Sequence, residues 1–565
     1  MNDLRRTLLW SVFAVSLLMM WDGWLRHTGQ PSLFAPPPPA SVVAESQGAG
    51  SGAASLPAAA SSGVAANGAT APGVAASASA PAQHERVTFT TDVAKVTVDT
   101  QGGDVVKVEL LKHLDQDDAS KNMVVLDQTA SHTYVAQSGL IGAGSAERLP
   151  NHLTPMSIVT PERQLAEGAD TLVVKLESAP VDGVKLLKTY TFKRGDYAIG
   201  VKQEVVNGSN ATVHPQLYLQ LTRDGKQPVQ AGPSFLMGPT AYTGPAVYSA
   251  KAKYQKVGFE SLNENKAEFE KADTHGWVAM VQHYFASAWL HNEAAPRTFF
   301  VDKTGPNLYR TGMLFPLGDV AAGQSKAFDA ILFVGPQEEN KLSVLAPGLE
   351  LVKDYGWQRV LAEPLFWLLD QLHKLIGNWG WAIVALVVLL KAAFYWLNAK
   401  AYQSMAKMKA LNPRIQAMRE SLKDNPQQMQ QEMLKIYREE KVNPIGGCLP
   451  ILIQIPVFIS LYSVLLSSVE MRNAPWIGWI HDLSVKDPYF VLPALMTAST
   501  LLQTWLNPTP PDPVQAKMMW IMPMLFSVMF FFFPSGLVLY WLTNNILSIA
   551  QQWVINRRIE AQAAK

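Results

Sequence analysis

A lysine stands inside an apolar stretch in the second half of the chain. The segment IVALVVLLKAAFYWL runs from Ile383 to Leu397, and Lys391 is its single charge. A charge at the centre of a bilayer costs about 2.5–3.5 kcal/mol even on a lenient insertion scale. Two interpretations follow: either the ammonium reaches along its helix to the inner headgroups, or it lies in a hydrated cavity within the membrane.

Other polar side chains in apolar stretches are candidates for the lining of such a cavity. They are Gln454, Gln503, Thr543, Asn544 and Asn545. No Asp or Glu falls in the core of another apolar stretch, since Glu470 stands at the outer end of its own. Water is therefore the expected partner of the ammonium, and the cavity serves either a small solute or a polar segment of another chain.

Composition and motifs exclude several classes of chemistry. Charged residues make up 16% of the 565 residues, against about a quarter in average soluble proteins. The net charge of +1 gives no general attraction to nucleic acid, so no DNA partner is expected. The single cysteine, Cys448, excludes an intrachain disulfide, and the eleven histidines are scattered. We expect no metal, no cofactor, no catalytic residue and hence no enzyme.

Three segments precede the apolar half. Residues 1–25 carry Arg5 and Arg6 before an apolar run, and no small-residue cleavage site follows, which favours a signal anchor over a cleaved signal peptide. Residues 26–84 are rich in Ala, Pro, Ser and Gly and predict a flexible linker. Residues 85–340 alternate apolar and polar positions around turns such as Gly102–Gly103, which predicts an antiparallel β-sandwich outside the cytoplasm.

Helical periodicity takes over beyond the sandwich. Residues 341–376 predict connecting helices that end in an amphipathic helix, placed either in the membrane interface or packed on the sandwich. The predicted transmembrane helices are 377–397, 444–470, 489–506 and two within 518–556. Segment 471–488 is the outer loop, and 398–443, 507–517 and the tail 557–565 are the inner segments.

Lysine and arginine are concentrated in 398–443, so that segment and both termini are assigned to the cytoplasm. It predicts a helical hairpin, with Asn425 as the cap and Pro426 as the first residue of the second helix. Its Met-rich seam is either the contact between the two helices or a surface for apolar partners. The predicted fold class is a polytopic α-helical membrane protein with six transmembrane helices and an inserted all-β periplasmic sandwich domain.

Four stretches of this sequence resemble the YidC/Oxa/Alb family of membrane-protein insertases. They are GNWGWAIVALVVLLKAAFYWLNAKAYQSMAKM, KVNPIGGCLPILIQIPVFISLY, WIHDLSVKDPYFVLPALM and FFFPSGLVLYWLTNNI. The resemblance implies five core spans around a groove that is open to cytoplasm and lipid and closed to the outside. It also implies a cation that attracts hydrophilic parts of a substrate. That cation is usually Arg in the bacterial family and is Lys391 here, which keeps the charge but loses the bidentate fork.

The resemblance further implies the site and the partners. Together with the polar lining, it predicts these substrate-binding residues: Lys391, Gln454, Ile455, Phe458, Phe530, Phe533, Tyr540 and Trp541. By residue type alone, the apolar members are simply packed or lipid-facing. Implied partners are nascent membrane proteins, Sec translocon components, the ribosome at the cytoplasmic loops and tail, and membrane lipids. The outer domain is implied to resemble a sugar-mutarotase supersandwich.

The predicted function is that of an insertase and chaperone of the bacterial inner membrane, acting alone or with the Sec translocon. A solute or ion transporter is the alternative, although we find no internal repeat and no intramembrane carboxylate typical of transporters. A membrane-anchored carbohydrate-active enzyme, built on the β-domain, is the third hypothesis.

Overall fold

The computed structural model describes residues 84–563 apart from 116–117, 119, 144–146, 227–241, 423–424, 441–448 and 508–512. The predicted anchor (1–25) and all but the last residue of the predicted linker lie outside the described residues. All described residues belong to one compact unit.

Alternating sequence patterns produce eighteen described strands in the first part of this unit. They are β1 (Arg86–Thr90), β2 (Ala94–Asp99), β3 (Asp104–Leu114), β4 (Asn122–Gln128), β5 (Thr133–Gly142), β6 (Met156–Ile158), β7 (Thr171–Ser178), β8 (Val184–Lys193), β9 (Ala198–Asn207), β10 (Pro215–Asp224), β11 (Gly244–Ser249), β12 (Lys253–Lys256), β13 (Ala272–Asp273), β14 (Gly276–Val281), β15 (Phe285–Leu290), β16 (Arg297–Gly305), β17 (Leu308–Pro316) and β18 (Ser325–Pro336).

The strands form two nine-stranded sheets in which the strand ladders are antiparallel. One sheet has the order β1-β2-β3-β4-β5-β10-β17-β16-β13 and the other β12-β11-β14-β15-β18-β9-β8-β7-β6. Residues on the facing sides of both sheets form one continuous apolar core that includes Trp277 and Trp289. The predicted antiparallel sandwich is confirmed.

A buried cation fixes the turn between β2 and β3. Lys188 is fully buried, and its ammonium donates to the carbonyls of Gly102 at 2.7 Å and Ser138 at 2.8 Å. The Asp104 carboxylate lies 3.5 Å away, and burial raises the pKa of Asp104. Gly102 has φ +72°, and a Cβ there would lie 2.3 Å from the carbonyl oxygen of His152, so the turn requires glycine.

His152 packs beside this turn as a neutral side chain. It is 2% exposed, and its Nδ1 lies 2.6 Å from the Tyr218 hydroxyl. Burial, aided by the charges of Lys188 and Arg310, lowers the pKa of His152 to about 4.

Helices make up most of the remainder. They are α1 (Phe259–Asn263), α2 (Glu339–Leu345), α3 (Arg359–Ile376), α4 (Trp379–Ala393), α5 (Tyr395–Ser421), α6 (Pro426–Glu439), α7 (Leu449–Ser467), α8 (Val491–Leu506), α9 (Pro513–Met529) and α10 (Ser535–Ala563). Short 3₁₀ turns cover Leu349–Val352, Gly356–Gln358, Val469–Met471 and Phe530–Phe532. A second apolar core lies among α3, α4, α7, α8 and α10.

The β-domain and this helical core are joined by buried polar contacts. Lys353 is fully buried, with its ammonium 3.3 Å from the Glu470 carboxylate and 3.4 Å from the centre of the Phe366 ring. The His283 Nε2 lies 3.0 Å from the Leu466 carbonyl oxygen, one of the last four carbonyls of α7. These contacts fix one end of α7 against the β-domain.

Two helices, α5 and α6, cover most of the segment predicted as a hairpin. The Asn425 side chain accepts a hydrogen bond of 3.3 Å from the Gln428 amide, and Pro426 is the first residue of α6. Arg414 binds Glu439 and Glu440 across the pair. Pro413 lies within α5.

The amphipathic helix α3 buries one face against its neighbours. Its buried side chains are Ala362, Phe366, Leu369 and Asp370. The large apolar side chains of Trp367 and Leu375 remain exposed, by 63% and 83%. Placement of α3 in the membrane interface stays a prediction.

The helices in the described part of the chain differ in length and in apolar character. No single helix there combines enough of both to cross a bilayer. One bent pair does so jointly: Trp379–Ala393 with Tyr395–Ala401, at an angle of 64°. The apolar segment 377–397 is therefore a helix that breaks at Phe394 rather than one straight span.

Candidate functional site

The break after α4 sets the position of Lys391. Asn378 caps the start of α4 by accepting a hydrogen bond from the Trp381 amide, and Lys391 stands in the last turn of the helix. Phe394 interrupts the regular pattern before α5 begins at Tyr395. Lys391 thus lies at a bend, where its side chain points between α4, α7 and α10.

A small cavity of about 20 Å³, enough to hold about one water molecule, adjoins this lysine. Its lining residues are Val387, Leu390, Lys391, Phe394, Leu397, Asn398, Gln454, Val457, Tyr540 and Asn544. The lining therefore combines aliphatic and aromatic side chains with one cation, three amides and a phenol. Such a mixed surface accommodates water and polar atoms within an apolar bundle.

Lys391 is half-buried, and its partner is a hydroxyl. The ammonium donates a hydrogen bond of 2.7 Å to Ser548 Oγ, which in turn donates at 2.7 Å to the Asn544 carbonyl. No carboxylate lies within ion-pair range of Lys391 anywhere in the described residues. An ammonium has three donors, so this one retains hydrogen-bonding capacity and an unneutralised charge.

Gln454 links α7 to α10 across the cavity. Its amide donates to Asn544 Oδ1 at 2.8 Å and to the Tyr540 hydroxyl at 3.3 Å. These bonds give the predicted site residues Gln454 and Tyr540 a fixed polar geometry beside Lys391.

Aromatic rings continue from the cavity toward the other end of the bundle. The Phe458 ring lies 4.6 Å from Trp541 and 6.2 Å from Tyr540. Phe530 lies 5.2 Å from Trp541 and 5.4 Å from Phe533. The predicted aromatic residues thus form one connected cluster, in which Tyr540, Phe530 and Phe533 are themselves buried.

The remaining predicted residues are placed differently. Ile455 is 46% exposed and does not line the cavity. Asn545, predicted as lining, instead donates to Thr500 at 2.8 Å and Ser499 at 3.2 Å, which joins α10 to α8. Gln503 and Thr543 are also absent from the lining.

Sequence reasoning missed Ser548, Asn398 and Phe394. A signal for Ser548 was present, since it lies four residues after Asn544 and eight after Tyr540, on the same face of a helix. Phe394 carries no comparable signal, because neither proline nor glycine marks the break.

The arrangement supports binding rather than covalent chemistry. The Ser548 hydroxyl beside Lys391 donates its hydrogen to the Asn544 carbonyl, and the described residues contain no cluster suited to a metal ion. The site offers an unneutralised cation, amide groups and an aromatic surface, which together suit a chain that carries both polar and apolar parts.

Comparison with known proteins identifies the family. Residues 86–368 match the model of the YidC periplasmic domain, and residues 371–562 match the model of the 60Kd inner membrane protein. The chain is 52% identical to a membrane protein insertase YidC of Cupriavidus necator, over 99% of this chain and 98% of that one. It is 51% identical to the corresponding protein of Ralstonia nicotianae over the full length of both.

A crystal structure of an active YidC insertase aligns with 83% of this chain and 92% of its own, at 19% identity and a TM-score of 0.39. The assignment rests on the family models and the sequence relatives. By these matches, the chain belongs to the YidC family of inner-membrane protein insertases.

Proposed function

We propose that this protein inserts nascent membrane proteins into the bacterial inner membrane by way of the Lys391 cavity. The observation that carries the proposal is a half-buried ammonium, at a helix break within an apolar bundle, whose described partner is a serine hydroxyl. A structural lysine is expected to be neutralised by a carboxylate, whereas a charge that attracts a substrate must keep unneutralised capacity.

The cavity lowers the free-energy barrier to insertion, because it shortens the distance over which a polar part of the substrate crosses water-free hydrocarbon. A polar flank of a substrate loses hydration when it enters hydrocarbon, and each unsatisfied polar group there costs several kcal/mol. Water and amide groups around Lys391 substitute for part of that hydration. The ammonium also attracts acidic flanks, so the polar segment of the substrate occupies the cavity rather than the lipid.

The aromatic surface serves the apolar part of the substrate. Phe458 and Trp541 offer contact next to the cavity that Tyr540 lines, and the substrate then partitions into lipid through the hydrophobic effect. No nucleotide or covalent step is needed, because burial of the apolar segment is itself favourable.

The proposed topology has six transmembrane helices, with both termini and the α5–α6 hairpin in the cytoplasm. In this arrangement the basic hairpin and tail face the ribosome, and the β-domain lies in the periplasm. We further propose that the protein also acts as a chaperone together with the Sec translocon. The lysine and arginine distribution supports the orientation.

Site-specific crosslinking to a stalled nascent chain tests the proposal. In a Cys448→Ser background, a cysteine at Phe458 or Tyr540 is expected to crosslink to a cysteine in the apolar segment of the substrate. A cysteine at Trp505, which is 69% exposed on α8, is the matched control and is expected to react weakly. Equal crosslinking at all three positions, or crosslinking only at Trp505, would contradict the proposed path.

A further inference from the structure

A second pocket lies at the opposite end of the helical bundle from Lys391. Its volume is about 380 Å³, within the roughly 300–1,000 Å³ usual for ligand sites. It is lined by Lys486, Phe490, Val528, Phe531 and Phe532. Four of the five are apolar, and the fifth is a cation.

The loop that carries Lys486 and Phe490 is held rigidly by Asp487. This carboxylate is 1% exposed and accepts from the Trp479 indole and the Tyr489 amide at 3.0 Å, and from the Leu492 amide at 2.7 Å. The last of these bonds caps the first turn of α8. Lys486 and Phe490, which stand on either side of Asp487 in the sequence, therefore line a pocket of fixed shape.

Two further observations show that the pocket is built into the fold. The Val485 carbonyl accepts from both the amide and the hydroxyl of Ser535, at 2.7 and 2.8 Å, which ties the loop to the turn between α9 and α10. Phe490 has φ +56°, a left-handed conformation that is strained for an aromatic residue and persists only where the surroundings impose it. This conformation brings its ring to 5.8 Å from Phe531.

The open side of the pocket is apolar, and its rim is aromatic and cationic. Val528 is 60% exposed and Phe532 57%. Tyr489, 70% exposed, stands with Trp479 beside Lys486, as aromatic residues do at a membrane interface. Lys486 is exposed and has no carboxylate partner among the residues that the structure describes.

We propose that this pocket binds one phospholipid of the outer leaflet, with an acyl chain between Phe490 and Phe532 and the phosphate on Lys486. Charge complementarity selects this occupant, since a phospholipid joins an apolar tail to an anion at the depth where the cation stands. A transmembrane segment of a substrate would fill the apolar part but leave Lys486 unneutralised. The proposal rests on the inner-membrane setting of the family and on the outer position of this loop, and it is independent of the Lys391 cavity.

Lipid retention in native mass spectrometry of the full chain provides the test. The probes are dioleoyl phosphatidylglycerol and dioleoylglycerol, which share acyl chains and differ in the phosphate. Wild type is expected to retain the phospholipid roughly fivefold more than the neutral lipid. This is the gain in affinity that one lysine contributes near a charged lipid surface. Lys486→Gln is expected to remove that preference, and Lys486→Arg to keep it. Lys517→Gln, at the other end of α9, is the matched charge control and is expected to keep it as well.

A bulky substitution tests the position of the acyl chain. Val528→Trp is expected to reduce retention of both lipids, whereas Ile521→Trp, also exposed on α9 but two turns away, is expected to leave it unchanged. Equal thermal midpoints in detergent establish that each variant is folded. Unchanged lipid preference in Lys486→Gln overturns the proposal, and so does unchanged retention in Val528→Trp. Crosslinking of a photoreactive residue at Phe532 to a nascent chain, rather than to lipid, also overturns it. Insertion activity does not enter this test, so failure of the proposed function would be seen separately.

Discussion

Reversing the charge at Lys391 is expected to select against substrates with acidic flanks while sparing neutral ones. The ammonium has Ser548 as its described partner, so a substrate carboxylate entering the cavity meets an unneutralised charge. Lys391→Gln removes this attraction, Lys391→Glu converts it to repulsion, and Lys391→Arg retains it. The geometry predicts an effect on the ratio of acidic to neutral substrates rather than on insertion as a whole.

The size of the effect is bounded by the dielectric environment. For a carboxylate across the cavity at roughly 8 Å, the attraction is about 2 kcal/mol at an effective dielectric constant of about 20, and about 0.5 kcal/mol at that of water. Lys391→Gln is therefore expected to lower the acidic-to-neutral ratio of insertion rates between about twofold and thirtyfold. Lys391→Glu doubles the change in free energy.

The assay measures insertion of two single-span substrates into proteoliposomes. They carry the same apolar segment and differ by Asp or Asn residues in the translocated flank, and each variant is compared at equal abundance. Raising the salt concentration is expected to reduce the difference only modestly, because a half-buried charge is weakly screened. Equal rate ratios for Lys391→Glu and Lys391→Arg would refute the role of the cavity charge.

Three further predictions concern stability outside the cavity. Lys188→Met is expected to lower the free energy of unfolding of the β-domain by about 3–5 kcal/mol, because the Asp104 carboxylate is left buried alone, and Asp104→Asn in the same chain is expected to recover most of it in urea titrations. The pKa of His152 is about 4 in the folded state and near 6.5 when unfolded, so its contribution to the free energy of unfolding is intact above pH 6.5 and is lost as the pH falls toward 4. Hydrogen exchange in β10 should show that the free energy of unfolding falls by about 2 kcal/mol between pH 7 and pH 5. This fall should be absent in His152→Gln. Lys353→Met is expected to lower the thermal midpoint in detergent, and adding Glu470→Gln to restore it, whereas equal midpoints for the single and double variants would contradict a buried ion pair.

Much of the fold was predictable from local pattern. Strict alternation specifies strands that pack on one face, and the turn at Gly102–Gly103 is marked by its residue types. The Asn425–Pro426 signal located the start of α6 because capping depends on a few adjacent residues. The break at Phe394 was not predictable, since no residue type marks it and packing of α4 and α5 against different neighbours decides it.

The site was predictable in its charge but only partly in its contacts. An isolated lysine in an apolar run is conspicuous in sequence, and Gln454 and Asn544 were found because polar residues are rare in such runs. Asn545 was predicted to line the cavity, but its side chain faces α8. Successive positions on a helix are rotated by about 100°, so Asn545 points away from the cavity that Asn544 lines. Burial of Phe530 and Phe533, with Phe532 exposed, depends on a 3₁₀ turn that sequence alone does not indicate.

The polar contacts of the cavity specify the rotation of α10 as well as the chemistry of the site. Tyr540, Asn544 and Ser548 recur every fourth residue, so they form one stripe that meets Gln454 and Lys391. A rotation of α10 by one residue would carry all three away from their partners and leave an ammonium and an amide unsatisfied among apolar side chains. Since an unsatisfied buried polar group costs about 1–3 kcal/mol, and a charged one more, alternative packings of this helix are disfavoured by several such penalties at once. Lys391, which has no carboxylate partner among the described residues, therefore also helps to select the packing in which the cavity exists.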